Sequence, residues 1–150
     1  MALQTTQGTS YSPSDAFNAV RSQAFSSKVL AQSYLTALQT TSVDANWVFN
    51  LLDQIRSLIS VLTTWAAVPG LDAYATAQGY TGSLSSDITT VKNAAAAITA
   101  WIFNNFPKDA QGFAQAVTLN SDGTRTIATF APAATTGLQT VLSAFIATIS

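Results

Sequence analysis

Apolar residues return every three or four positions over most of this chain, and polar punctuation cuts them into three long segments, a terminal one and a short one. Ser12-Pro13-Ser14-Asp15 opens the first, with a capping hydroxyl, a proline suited to the first helical position and an acid in the first turn. From there to about Gln39, Phe17, Val20, Ala24, Ala31, Leu35 and Leu38 recur at helical spacing, and Phe25, Val29 and Leu30 widen the stripe. That width predicts more than one buried face. After Thr40-Thr41-Ser42, either Ser42 or Asp44 can cap a second helix carrying Trp47, Leu51, Ile55, Leu58, Leu62 and Trp65, which Val68-Pro69-Gly70 ends. A short helix over Leu71 to Gln78 precedes the break Gly79-Tyr80-Thr81-Gly82.

The third long segment has the cleanest period. Leu84, Ile88, Val91, Ala95, Ile98 and Ile102 step by alternating four and three residues, the a/d register of a packed helix seam, until Phe106-Pro107 stops it. Periodicity then changes. Phe113 to Leu119 and Thr124 to Phe130 flank Asn120-Ser121-Asp122-Gly123, which predicts a β-hairpin over about 113–130. A lone two-stranded ribbon is marginal in water, so it must pack on the helices or against another chain. Ala131-Pro132 opens a last helix with Leu138, Leu142, Phe145 and Ile149 on one side. The expected architecture is mainly α: roughly a four-helix bundle with a β-hairpin inserted before the C-terminal helix. It forms a single helical domain over 12–150 behind a polar N-terminal arm at 1–11.

Composition narrows the chemistry sharply. The 150 residues include no Cys and no His, and every acid is an Asp, at 15, 44, 53, 72, 87, 109 and 122. Thiolate nucleophiles, Ser-His-Asp and Cys-His triads and Cys-ligated metal centres cannot be built. The six basic residues Arg21, Lys28, Arg56, Lys92, Lys108 and Arg125 are scattered, so no cluster neutralises adjacent phosphates and no sequence-specific nucleic acid partner is expected. Only 9 % of residues are charged, against about 25 % in an average domain. Ser and Thr, roughly a quarter of the chain, take their place, and Thr126 to Ser150 carries no charge at all. Hydroxyls can be covered at far lower cost than charges, and interface cores are depleted in Lys, Glu and Asp. The composition therefore predicts a chain that sits among other subunits. No stretch reads as a membrane span, and Met1 to Tyr11 lacks the pattern of a secretory signal, which makes the cytoplasm the expected place of synthesis.

The remaining candidates for catalysis are weak. Ser26 and Ser27 beside Lys28 point in different directions on a helix. Carboxylate pairs such as Asp44 with Asp53 or Asp72 with Asp87 have the residue type for glycoside hydrolysis but no selecting spacing, and helix capping accounts for Asp15, Asp44, Asp87 and Asp109. Asp122-Gly123 lacks the rest of a calcium loop, and no glycine motif cradles phosphate. No catalytic, cofactor-binding or metal residue is assigned, and an enzyme is not expected. Most of the aromatic residues fall on helical stripes and belong to the core, whereas Trp101 and Phe103, beside Ile102, are candidates for a second buried face against a partner.

One set of stretches carries a resemblance: AVPGLDAYATAQ closing a Trp-bearing helix, WIFNNFP closing the next, then LNSDGTRTIATFAP before the terminal helix. In order and character these resemble small proteins encoded among the virion morphogenesis genes of tailed bacteriophages, over about residues 40–150. The resemblance implies a structural subunit of the particle, made in the bacterial host cytoplasm and ending in the virion. Its place is a head-to-tail connector or neck, acting as a homo-oligomeric ring beside portal, tail or capsid proteins. Helical adaptors of that kind do not generally carry such a ribbon. The alternatives are a capsid decoration protein, a membrane-active or surface protein using the uncharged C-terminal helix, and a small carbohydrate-processing enzyme using Asp pairs.

Overall fold

The structure, a computed structural model, describes residues 11–149. The expected polar arm therefore lies, except for Tyr11, outside the described residues. The Tyr11 ring meets Trp65 edge-on at 4.8 Å between centroids. Helix α1 runs Pro13–Thr40, and its start is built as expected: Ser12 Oγ accepts from the Asp15 N–H while the Asp15 carboxylate accepts from the Ser12 N–H. A two-residue strand β1, Val43–Asp44, leads directly into α2, Ala45–Ala66. Of the two possible caps Asp44 is the one used, its carboxylate accepting from the Trp47 N–H at 2.9 Å. Gly70, at φ +81°, turns the chain into the short α3, Leu71–Ala77. Ser83 then caps α4, Leu84–Asn105.

The four long helices close a ring in which α1 and α4 stand diagonally. Each of them packs against α2 on one side and against the last helix, α5 (Thr136–Ala147), on the other, while α3 lies on α1 and α4 at one end. Consecutive long helices alternate in direction, because the α1 start lies by the α2 end and the α5 start by the α1 end. The core follows the seams read from the sequence: Leu51, Ile55, Leu58 and Leu62 of α2, all six a/d positions of α4, and Leu138, Leu142 and Phe145 of α5 are buried. Trp47 and Trp65, on the same stripe, are half-buried at its two ends.

The β region departs from the expected single ribbon. Strands β2, Val117–Leu119, and β3, Arg125–Ile127, form the hairpin around the Asp122-Gly123 turn. The chain beyond β3 then leaves it. Strand β4, Thr129–Phe130, pairs antiparallel with β1, placing Val43 opposite Phe130, and the Ala45 N–H donates to the Ala128 carbonyl at 2.7 Å. The segment that opens the last helix is also different from the expectation, since Pro132–Thr135 forms a 3₁₀ turn before α5 begins. Thr135 is fully buried there; its hydroxyl donates to the Pro132 carbonyl and accepts from Gln139 Nε2, which also reaches the carbonyls of Pro132 and Leu38. Gln139 thus ties α5 to the last turns of α1 and satisfies buried groups that would otherwise stand unpaired.

Trp101 and Phe103, expected on a second buried face against a partner, each make contacts within this chain. Both are half-buried within the fold: Phe103 holds the Arg56 guanidinium over its ring at 5.4 Å, and Trp101 meets Phe130 edge-on. Trp101 finds its place because residue 137 is glycine. A methyl group at Gly137 would stand 2.6 Å from the indole nitrogen. Gly137→Ala therefore lowers stability by about 1–2 kcal/mol net, because overpacking outweighs roughly 1 kcal/mol of helix propensity. Thermal melting checks this: the single variant melts a few degrees lower, and Trp101→Leu in the same chain removes the penalty of the added methyl.

Candidate functional site

Helix α5 has twelve residues, whereas α1 has 28 and α4 has 22. At about 1.5 Å per residue α5 covers roughly 18 Å of a seam whose walls run past 30 Å. Its last turn closes on Thr148, whose N–H and hydroxyl both return to the Phe145 carbonyl. Among the described residues, the gap between α1 and α4 is open between Ile149 and Tyr80. It forms a groove of about 620 Å³ with Val20 and Leu62 at its base, Leu84, Ile88 and Val91 along the α4 wall, and Ile149 at its edge.

The α1 wall explains the overly wide apolar stripe. Phe25 and Val29 line the groove but stand 67 % and 50 % exposed, instead of forming the second buried face expected of them. The rim carries charge of both signs. Arg21 and Lys28 come from α1, and Asp87 from α4 accepts a short hydrogen bond from the Tyr80 hydroxyl. Burial, the hydrogen bond to Asp87 and the nearby negative charges push the Tyr80 pKa up to about 12.

A second apolar surface lies at the far end of the bundle, on the ribbon. The register puts Val117 opposite Ile127 and Leu119 opposite Arg125, so these four share one face while Thr118 and Thr126 share the other. Leu119 is 68 % exposed, Ile127 is exposed beside it, and Val117 is half-buried at the root. Phe113, at the tip of the preceding turn, is exposed as well. That turn is held by Asp109, whose carboxylate accepts from the Gln111 and Phe113 N–H groups. Asp122 similarly holds the hairpin turn through Thr124, and those hydrogen bonds hold its carboxyl below the usual range.

Between these two ends the outer helix faces carry scattered charges, Asp53 and Arg56 on α2 and Lys92 on α4, and many of their hydroxyls are already engaged. Thr36, Thr40, Thr63, Thr64, Thr89, Thr90 and Thr140 each donate to the carbonyl four residues back in their own helix. Such a threonine presents a methyl group and an acceptor oxygen, with no donor left to satisfy.

The candidate catalytic groups are dispersed or structurally committed. Asp44 caps α2 and Asp53 is exposed on it. Asp72 and Asp87 do approach the same end of the bundle, yet each has another task. The Asp72 carboxylate binds the first turn of α4, accepting from the Ser85 N–H at 2.8 Å, the Ser85 hydroxyl at 2.5 Å and the Ser83 hydroxyl at 3.2 Å. Ser27 is buried on α1 while Ser26 points outward. Among the described residues, no group of three or more Asp side chains is placed to hold a metal ion, and no single helix is long and apolar enough to cross a membrane.

The Asp72 clamp gives the chain a defined acid sensitivity. Its hydrogen bonds to Ser85, above all, hold the carboxyl below the ordinary value. The stabilisation is therefore complete above the unfolded-state pKa of about 4 and is lost as pH falls through the lower native value. Asp72→Asn costs about 1 kcal/mol at neutral pH, after allowance for solvent screening, and flattens the decline in melting temperature below about pH 4. At the other extreme, Tyr80 holds its proton in the native state between pH about 10 and about 12, so its contribution fades over that window. Tyrosinate absorbance in the native protein shows a late-titrating group that Tyr80→Phe removes.

No known protein family, curated protein or solved structure matches this chain.

Proposed function

We propose that this protein is a non-enzymatic structural subunit of a tailed bacteriophage particle, a head-to-tail connector or neck protein that works by packing against copies of itself and against portal, tail or capsid proteins. The sequence resemblance supplies the setting. The observation that carries the packing role is the state of the outer helix faces, where threonine donors are spent on their own backbone and charges are sparse. Covering such a face removes little hydrogen bonding to water, whereas covering a typical lysine- and glutamate-rich face strands charges. The carboxylates support the same reading, since Asp15, Asp44, Asp72, Asp109 and Asp122 each hold a helix start or a turn.

The membrane-active alternative uses the C-terminal helix, but Leu138, Leu142 and Phe145 already lie inside the bundle. Inserting that helix into a bilayer requires the core to open first.

Light scattering after gel filtration, with electron microscopy of the peak fraction, tests the proposal. Closed oligomers at micromolar concentration are the expected result. A stable monomer of 15.7 kDa throughout that range would overturn the self-packing role. Binding to anionic liposomes accompanied by loss of the folded core would favour the membrane reading instead.

A further inference from the structure

Among the described residues, the groove and the ribbon are the two places where large apolar side chains stand in the open within a cluster, and the topology sets them at opposite ends of the bundle. Helix α4 begins in the groove and ends where the chain turns toward the ribbon. Helix α2 reaches the groove with Leu62 and starts at Ala45, hydrogen-bonded to Ala128 beside the ribbon. From Ile88 to Asn105 is about 25 Å along α4. A ribbon cannot fold into the groove of its own chain.

The two surfaces are both apolar and both carry charges of either sign at their margins. One is concave, with Phe25 and Val29 on its wall; the other is a narrow projecting ribbon with Leu119 and Ile127 on one face. The ribbon face bears Arg125, and its turn bears Asp122. The groove rim offers Asp87 on α4 and Lys28 with Arg21 on α1. The acid and base of the ribbon face the Asp87 side and the basic side of the groove in a single orientation, and the reverse one places like charges together.

We propose that the ribbon of one copy seats its Leu119 and Ile127 face in the α1–α4 groove of the next copy, pairing Arg125 with Asp87 and Asp122 with Lys28. The contact joins unlike patches, so it repeats from copy to copy and closes into a ring where the rotation per subunit permits. It also gives the exposed ribbon the packing surface that a two-stranded hairpin needs. This inference rests on the self-packing role and specifies the interface that performs it.

The chain has no cysteine, which makes directed cross-linking clean. Phe25→Cys and Leu119→Cys are prepared separately, both at exposed positions, and mixed with a short thiol-to-thiol cross-linker. Mixed dimers several-fold above either homodimer are expected, and the Phe25→Cys, Leu119→Cys double variant yields a ladder of multiples or one closed multiple. In parallel, Leu119→Asp and Val29→Asp each weaken association by about tenfold or more, the scale of an interface anchor, with unchanged melting temperature. If the wild-type protein forms oligomers but the mixed product is absent, the inference fails while the packing role stands. Homodimers through Phe25→Cys or through Leu119→Cys would show a two-fold contact and overturn it equally. Preferential capture of Phe25→Cys by a Leu3→Cys variant would assign the groove to the N-terminal segment and overturn it. A wild-type monomer removes the packing role itself.

Discussion

The length of α5 is the constraint from which the surface follows. Helices α1 and α4 stand diagonally and touch the bundle through α2 on one side and α5 on the other, with α3 across one end, so among the described residues the stretch that neither α5 nor α3 covers is open down to α2. The twelve residues of α5 and the turn after it cover the seam from Gly137, under Trp101, to Ile149 at the groove edge. A longer α5 would bury Phe25 and Val29 as an ordinary bundle face. The groove is thus a consequence of unequal helix lengths, with rigid walls, and requires no mobile segment to form.

At the other end the ribbon is held by pairings remote in sequence. Strand β4 leaves β3 to pair with β1, the two residues that link α1 to α2, and Phe130 stacks on Phe106 where α4 ends. The same junction contains the buried Thr135 hydroxyl and the Gln139 amide that reaches Leu38. These ties fix the base of the ribbon, and the register of β2 and β3 then determines that Leu119 and Ile127 share its exposed face.

Much of the fold was legible because its signals are local. The six buried positions of α4 are the heptad seam, and Ser12 and Asp44 cap helices where the sequence offers them as caps. The misreadings came from contacts that local pattern does not encode. Apolar spacing marks Phe25 and Val29 as one side of a helix, but whether that side is covered depends on the length of a helix more than a hundred residues away. The contact between Trp101 and α5 was not visible either, because the glycine that admits its indole lies 36 positions later, at 137. The β1–β4 pairing left no mark in the two residues Val43 and Asp44, which are too few to show an alternating period. Of the candidate site, the apolar residues of groove and ribbon were visible in sequence, whereas their placement at opposite ends was not.

Magnitudes indicate how such ends behave together. Phe25, Val29, Leu119 and Ile127 are between 42 % and 68 % exposed, so covering all four recovers about 4–6 kcal/mol at the usual yield of burial. Joining two free subunits costs about 4–15 kcal/mol in translational and rotational freedom. One ribbon in one groove is therefore close to break-even, and open dimers and trimers remain minor species. Closing a ring changes the balance, because the final contact joins ends already held at high effective concentration and adds its full burial without a further association cost. A surface supplied by a larger partner acts in the same way by gathering the subunits before they touch. The modest apolar area at each end thus favours isolated chains and completed rings over the intermediates between them, and the sparsely charged flanks let completed rings accept neighbours on their outer faces.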